Sequence, residues 1–239
     1  MADCHSLVVP VLLHSMRAAK PEMGDTMPNP QRIPRTPILA GVAAEARTQQ
    51  LGLPGTALLV EALRDGASAA RTTTPMHPRA YRGQRMWGEA VASLGFSLTP
   101  HGWEHQTFLG VDLIVEPRLG TALLVTAGDA ATGREDYVPQ VRYERREVIQ
   151  GLVNGSLDTL WGPTPRPEWE VWFLLHNLAL TSLSAELSHP ISVNNSGRVM
   201  GWSERIMMPD TAFGGPNPST RRDEHQPAEV RVEVQRRVG

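Results

Sequence analysis

The sequence predicts an α/β protein with a mixed central β-sheet flanked by helices. Segments with apolar residues at helical spacing alternate with short segments that are wholly apolar or alternate strictly, which is typical of this class. Glycine and proline separate most of these segments. The 239 residues, with 41% apolar and 20% charged side chains, are enough for one sizeable globular domain with an appendage.

Composition restricts the classes of function. The net charge of −2 provides no overall attraction for DNA, so binding to nucleic acid would need a local basic patch. Lys20 is the only lysine, and Cys4, the only cysteine, excludes an intramolecular disulfide and a cysteine zinc cluster. No segment approaches the roughly 20 apolar residues of a membrane span. We therefore expect a cytoplasmic protein, of bacterial or phage type, without membrane segments.

The chain divides into three predicted parts. Residues 1–35 are rich in proline and have no sustained period, which indicates a loose N-terminal arm. Residues 36–66 are predicted to be a helical hairpin packed on the core, and residues 67–239 an α/β domain. Within that domain, a mobile loop is expected near residues 209–227, where proline, glycine and polar residues accumulate.

The helical hairpin is predicted from its turn signals. Thr36 is expected to be the N-cap of a helix over 36–50, and Gly66 is expected to stop a second helix that begins at Thr56. Such a pair could also be a helix-turn-helix DNA reader. Its recognition helix would then expose the apolar 58–60 segment to a groove, so packing on the core is the favoured alternative.

The remaining elements follow from periodicity. One helix is expected over 83–94, with Met86, Ala90 and Leu94 on one face. The other expected elements are strands over 110–116 and 122–127, a helix over 139–153, a buried strand over 169–178, an ambiguous segment over 179–187 that could be a short helix, a hairpin around 194–197 and a strand over 228–238.

The pair of strands at 110–127 carries the clearest chemical pattern. Asp112, Ile114 and Glu116 share one face of the first strand, and Asp129 lies just after the second strand. Clustered carboxylates of this kind can hold Mg²⁺, which polarises a phosphate and acidifies bound water. Asp112 and Glu116 are therefore the predicted metal ligands.

The order of these elements resembles the core of the PD-(D/E)XK, or restriction-endonuclease-like, nucleases. It covers a helix with Glu89, a strand with Asp112, a turn, an apolar strand and a helix that opens with Gln140, over about residues 84–153. The resemblance implies a Mg²⁺-dependent nuclease acting on DNA. Its catalytic residues would be Asp112, Glu89 and Gln140, with Asp129 as a substitute for a missing acid.

The sequence departs from that family at a decisive position. The second strand of the family ends with an acid, any residue and a lysine, whereas the matching positions here are Thr126, Ala127 and Gly128. The lysine stabilises developing charge in the family's mechanism. Two alternatives remain: a diverged metal-dependent nuclease, or a degenerate nuclease-like protein that binds nucleic acid without cleaving it.

Two other segments could contact phosphates. The helix over 139–153 and the loop before it carry arginines that could bind the DNA backbone: Arg134, Arg142, Arg145 and Arg146. Interleaved acids favour a solvated, salt-bridged face instead. The glycine-containing loop 126–133 could cradle a phosphate with its amides, or it could be a turn of small residues that permits close packing.

A different class of function is also open. The chain could be a non-enzymatic assembly or structural protein of a phage or mobile element, forming a homo-oligomer through the hairpin and the 228–238 strand. The histidines add little support for an enzyme. His101 and His105 are expected in a loop without zinc spacing, and His176 is expected to be a satisfied core residue.

Overall fold

The computed structural model describes residues 36–142, 146–155, 158–159, 162–163 and 169–212. All of them belong to one compact unit that spans residues 36–239. The predicted arm at 1–35, Arg145, most of the predicted loop at 209–227 and the predicted strand at 228–238 lie outside the described residues. No helix within the described ranges is long and apolar enough to cross a membrane.

The described part of the chain contains four α-helices, one large eight-stranded sheet and one small two-stranded sheet. The helices are α1 (Val42–Gln50), α2 (Thr56–Arg71), α3 (Tyr81–Leu98) and α4 (Arg146–Asn154). The strands are β1 (Ile38–Leu39), β2 (Glu104–Phe108), β3 (Val111–Glu116), β4 (Thr121–Ala127), β5 (Asp158–Thr159), β6 (Gly162–Pro163), β7 (Glu170–Leu178), β8 (Ser182–Val193), β9 (Val199–Met207) and β10 (Thr211–Ala212).

The large sheet is mixed, which confirms the predicted fold class. Its order is β1-β9-β8-β7-β4-β3-β2, with β10 paired to β8 beyond the end of β9. The two central strands, β4 and β7, are parallel, and β3 and β8 flank them in antiparallel pairing. A parallel pair requires a crossover connection, and here the crossover carries α4.

Each face of the sheet is covered by its own apolar cluster. The first cluster joins α2 and α3 to inward residues of the central strands, including Leu123, Trp172 and Leu174. The second cluster packs α4, through Ile149 and Leu152, against the opposite face. Strand residues alternate between the two clusters because successive side chains point to opposite faces. Burial on both faces accounts for the continuous apolar sequences of β4 and β7.

The first predicted helix begins later than expected. Thr36 is not an N-cap; its hydroxyl donates to the carbonyl oxygen of Trp202 at 2.8 Å, and α1 starts only at Val42. Ile38 and Leu39 instead form a parallel edge strand against β9. Pairing with an open sheet edge satisfies backbone groups that a first helical turn would leave without partners.

Gly66 does not end the second helix. It lies inside α2, and a Cβ atom at this position would stand 2.4 Å from the carbonyl oxygen of Met86 on α3. Because glycine has no side chain, α2 and α3 can approach closely at this position. The requirement of this close packing for glycine outweighs the low helix propensity of glycine. The predicted face of α3 is confirmed, since Met86, Ala90 and Leu94 are all buried.

Three further expectations were wrong. Gln140 does not open a helix, because residues 139–142 are not helical and Val141 forms a bridge with Gly128. Backbone bonds from the Asp129 amide to the Gln140 carbonyl and from the Arg142 amide to the Ala127 carbonyl hold this segment. Most of the ambiguous segment at 179–187 belongs to β8, and His105 lies on β2 rather than in a loop.

Candidate functional site

Asp112, the principal predicted catalytic and metal-binding acid, lies on β3 opposite β2. Its Oδ1 accepts a hydrogen bond from the Thr107 hydroxyl at 2.8 Å and lies 3.3 Å from Nε2 of His105. Thr107 and His105 share its face of the sheet because Thr107 is paired directly with Asp112. The carboxylate therefore takes part in a small, half-exposed polar cluster of the β2–β3 hairpin.

Glu116, the second predicted metal ligand, closes the turn after β3. Its side chain is only 3% exposed and accepts bonds from the Arg118 Nε, at 3.0 Å, and from the Leu119 amide. Burial by itself raises the pKa of Glu116, but these donors outweigh burial and lower it below the ordinary value. Both carboxylate oxygens are thus engaged in holding the turn.

The other predicted catalytic residues are also bonded locally. Glu89 is exposed on α3, 3.8 Å from Arg85, and Asp129 accepts a bond from the Ala131 amide at 3.0 Å. Gln140 accepts a bond from Nε of Arg198 at 3.1 Å. Among the described residues, no three histidine, cysteine, aspartate or glutamate side chains are grouped so that they could hold a metal ion.

The predicted arginine face is only partly described. The Arg134 guanidinium stacks over the Tyr137 ring at 4.0 Å, while Arg142 is exposed and lines a pocket. Arg145 and the side chain of Arg146 lie outside the described residues. Arg142 is therefore the one member of the predicted set that the structure connects with a concave surface.

A buried ion pair anchors the segment that carries Arg142. Arg205 and Glu186, 2% and 0% exposed, are joined by bonds of 2.5 Å and 3.0 Å. Arg205 also donates to the carbonyl oxygens of Arg134 and Tyr137, and Glu186 accepts from the Gly133 amide. This hydrogen-bonding compensates the charges and fixes the 128–142 segment against β8 and β9.

The pocket lies where β4 and β7 end. It has a volume of about 490 Å³ and is lined by the last residues of both strands, the start of α3, Arg142 and Ile149 of α4. In open α/β sheets, ligands bind outside the carboxyl ends of parallel strands. The N-terminus of a helix also favours anions through its unpaired amides and its dipole.

The charged side chains that line the pocket are all positive. Its lining includes Arg79, Arg82 and Arg142 and contains no aspartate or glutamate. Within the described ranges, none of these three side chains has an ion-pair or hydrogen-bond partner. Three unbalanced guanidinium groups at one concave surface attract anions, and their planar donors suit phosphate and carboxylate groups.

His176 contributes a buried polar group to the same pocket. It is 5% exposed near the end of β7, and its Nδ1 has no hydrogen-bond partner among the described residues. Burial lowers the pKa of His176 to about 4, so the imidazole is neutral at neutral pH. The burial of His176 confirms the expectation that it is a core residue. Its Nδ1, however, lacks the expected hydrogen-bond partner among the described residues.

The glycine at the end of β4 has a packing role. A Cβ at Gly128 would stand 2.0 Å from the Thr132 hydroxyl oxygen, and its amide donates to the His176 carbonyl at 2.9 Å. This close contact supports the small-residue turn as the interpretation of the 126–133 loop. It also brings this loop against the pocket, which Gly128 lines.

Sequence reasoning did not identify most of this pocket. Arg79 and Arg82 lie in and just after a connector without periodicity, and His176 has the sequence surroundings of an ordinary core strand. The usable signals were the parallel order implied by two apolar strands separated by a helix and the two arginines around the start of α3. Comparison with known proteins yields no match among family models, curated proteins or solved structures. Fold and site thus define an α/β protein with a cationic pocket at its strand ends.

Proposed function

We propose that this protein binds nucleic acid through phosphate contacts at the pocket where β4 and β7 end, and that it does not cleave its ligand. The observation that carries this proposal is a set of three arginines, Arg79, Arg82 and Arg142, that lie in a lining without acids and have no side-chain partner among the described residues. Phosphate contacts supply most of the affinity of proteins for nucleic acid, and arginine is well suited to them.

This proposal adopts the degenerate nuclease-like alternative. The restriction-endonuclease-like core would act as a scaffold for binding, because Thr126, Ala127 and Gly128 provide neither the acid nor the lysine of that family. The local bonds of Asp112 and Glu116 support a structural role for both carboxylates. Binding should then proceed without Mg²⁺.

Fluorescence anisotropy with single-stranded and duplex DNA tests the proposal directly. Substituting Arg79→Gln, Arg82→Gln or Arg142→Gln should weaken binding and reduce the slope of log K against log [salt] by about 0.7–0.9 for each lost contact. Arg64→Gln, on the exposed face of α2 beside Glu61, is the matched control. Unchanged affinity and slope in all three pocket variants would remove the proposal.

The cleaving alternative has its own experiment. A plasmid-nicking assay with Mg²⁺ or Mn²⁺ compares the natural protein with Asp112→Asn. Metal-dependent cleavage that is lost in Asp112→Asn would establish a nuclease and replace the proposal made above. We expect no cleavage by either protein, because the described carboxylates include no metal-binding group of three.

One observation favours the assembly alternative enough to test it. The β8–β9 hairpin exposes two large apolar side chains, Ile191 at 64% and Met200 at 62%. Contact between two copies through this hairpin would bury them. Light scattering after size exclusion should then show an oligomer that Ile191→Ser dissociates, whereas a monomer at all concentrations removes this candidate.

A further inference from the structure

The pocket has a charged rim and an apolar interior. Arg79, Arg82 and Arg142 are exposed, whereas the other side of the lining consists of buried side chains. These buried side chains are Met86, Leu124, Val125, Ile149 and His176. A ligand that fills such a pocket must carry an anionic group at one end and a largely apolar body at the other. Phosphate alone would leave the apolar interior unfilled.

The size of the pocket limits the body that enters. Its volume of about 490 Å³ lies within the roughly 300–1,000 Å³ typical of pockets for small molecules and cofactors. A paired duplex presents its bases inside the stack, so only an unpaired or extruded nucleotide could place a base in a pocket of this kind. The pocket therefore suits a single nucleotide unit better than a length of duplex backbone.

His176 supplies the hydrogen-bonding group that a base would require. The His176 side chain is 5% exposed and lines the pocket, and its buried Nδ1 has no partner among the described residues, although buried polar atoms in folded proteins almost always have one. A neutral imidazole donates or accepts there according to its tautomer and adds no charge. Such a group matches the uncharged, polar edge of a base.

Trp87 adds an aromatic surface to the same lining. It lies on α3, one turn after Gly83, and is half-buried at the pocket. Bases stack on aromatic side chains with useful affinity and little dependence on their identity. The lining thus combines guanidinium groups, an indole and a neutral imidazole, which are the three kinds of contact that a nucleotide uses.

We propose that the pocket accepts one nucleotide, with its phosphate at Arg79, Arg82 and Arg142 and its base directed inward to the imidazole of His176. This proposal rests on the proposed function and names the unit of the nucleic acid that is recognised. The nucleotide comes either from an unpaired position of a strand or from the free pool. His176 is then the residue that distinguishes a base from a bare sugar phosphate.

Isothermal titration with defined probes tests this assignment. The probes are the four nucleoside 5′-monophosphates, ribose 5-phosphate and inorganic phosphate, each added to the full chain. At least one nucleotide should bind about tenfold or more tightly than ribose 5-phosphate, which corresponds to the contribution of a good hydrogen bond and stacking. Equal affinity for all probes would overturn the assignment of a base site.

Variants of His176 separate recognition from folding. His176→Leu fills the site with an apolar side chain and should weaken nucleotide binding about tenfold, to the level of ribose 5-phosphate. It should leave phosphate binding unchanged and raise Tm by roughly 2–4 °C, because an unsatisfied buried polar atom has been removed. His176→Asn, which keeps a neutral polar side chain at this position, should restore part of the affinity. A residue with only a structural role would not produce this combination.

The outcomes for the two proposals can be distinguished. If DNA binding depends on the pocket arginines but His176→Leu binds nucleotides as the natural protein does, the base site is overturned and the proposed function stands. If nucleotides bind with the expected His176 dependence but DNA does not bind, the base site stands and the proposed function fails. If no probe and no DNA binds, both are overturned.

Discussion

The two ends of strand β4 differ in how their polar groups are matched. At its first residue, β4 is paired with Glu116, a buried acid whose oxygens are engaged by Arg118 and the Leu119 amide. At its last residue, it borders a pocket in which three arginines and the Nδ1 of His176 have no partner among the described residues. The comparison shows that an acid on a strand indicates a catalytic or ligand-binding site only if its carboxylate oxygens are not already engaged by hydrogen bonds within the protein. Unmatched groups at a concave surface are the stronger sign of a ligand.

The largest expected effect comes from breaking the buried ion pair that supports the pocket end of β4. Arg205→Met leaves Glu186 as an uncompensated buried charge and should lower the free energy of unfolding by about 3–5 kcal/mol. Chemical denaturation measures this change. Hydrogen exchange should also accelerate at the Gly133 amide, which Glu186 holds, but not in β2 and β3.

The matched control for this prediction is the double variant Glu186→Leu/Arg205→Met. Replacing both charges by apolar side chains removes the uncompensated charge, so part of the lost stability should return. Equal acceleration of exchange at both ends of β4 in Arg205→Met would contradict the view that the pair supports the pocket end in particular.

The second effect concerns the unmatched imidazole. Because the pKa of His176 is lowered to about 4 from an ordinary 6.5, the unfolded chain binds more protons than the folded chain between these values. The contribution of His176 is therefore fully present above pH 6.5 and is lost as the pH falls towards 4. The contribution of His176 to the free energy of unfolding should decrease by roughly 2 kcal/mol between pH 7 and pH 5.

Denaturation of His176→Leu in parallel isolates this effect. The variant lacks the titrating group, so the difference in stability between it and the natural protein should grow as the pH falls. The window above pH 5 lies above the range in which Glu116, whose pKa is lowered, changes its charge. A constant difference across this window would show that His176 is not held neutral by burial.

The third effect tests the matched end of β4. Glu116→Gln keeps an acceptor for the Leu119 amide but loses the charge that binds Arg118 and should destabilise the fold by about 1–2 kcal/mol. Binding of DNA should not change. Intact stability together with loss of a metal-dependent activity would instead assign Glu116 to a metal site, and denaturation with the nicking assay distinguishes the two results.

The smallest effect is expected at Asp112. Its partners Thr107 and His105 are both exposed, so Asp112→Asn should change the free energy of unfolding by no more than about 0.5 kcal/mol. Titration with Mg²⁺ should give no difference between the two proteins. A measurable loss of Mg²⁺ affinity in Asp112→Asn would restore the predicted metal site and weaken the contrast between the ends of β4.

The fold could be predicted where local pattern and tertiary environment agree. Strands β3, β4 and β7 have apolar sequences that suit burial on both faces, and the buried face of α3 follows its period. Strand β1 could not be predicted, because its partner strand is distant in sequence: Ile38 pairs with Arg205. The residues around Ile38 carry no sign that the edge of β9 will be open for pairing. Strand β2 was missed because an edge strand with mostly exposed polar residues has no apolar alternation.

The candidate site was less predictable for a related reason. Asp112 and Glu116 were placed correctly on their strand face, but the sequence does not show that Thr107, His105 and Arg118 would contact them. The pocket draws on segments near residues 79–87, 124–128 and 176–178, together with Arg142 and Ile149, and the parallel pairing of β4 and β7 brings the two strand ends together. Since no single segment contains a motif, the charge imbalance becomes visible only in three dimensions.

The pairing of β1 with β9 has a consequence for synthesis of the chain. Ile38 and Arg205 are 167 positions apart (205 − 38), and so are Leu39 and Ile206 (206 − 39). At about 5–20 residues per second, a ribosome needs roughly 8–30 s to deliver the partner of a strand it has already made. Until then, Ile38 and Leu39 have no β9 edge to pair with and Arg47 has no Glu204 to bind, so the first strand of the sheet takes its place only after β9 has been made.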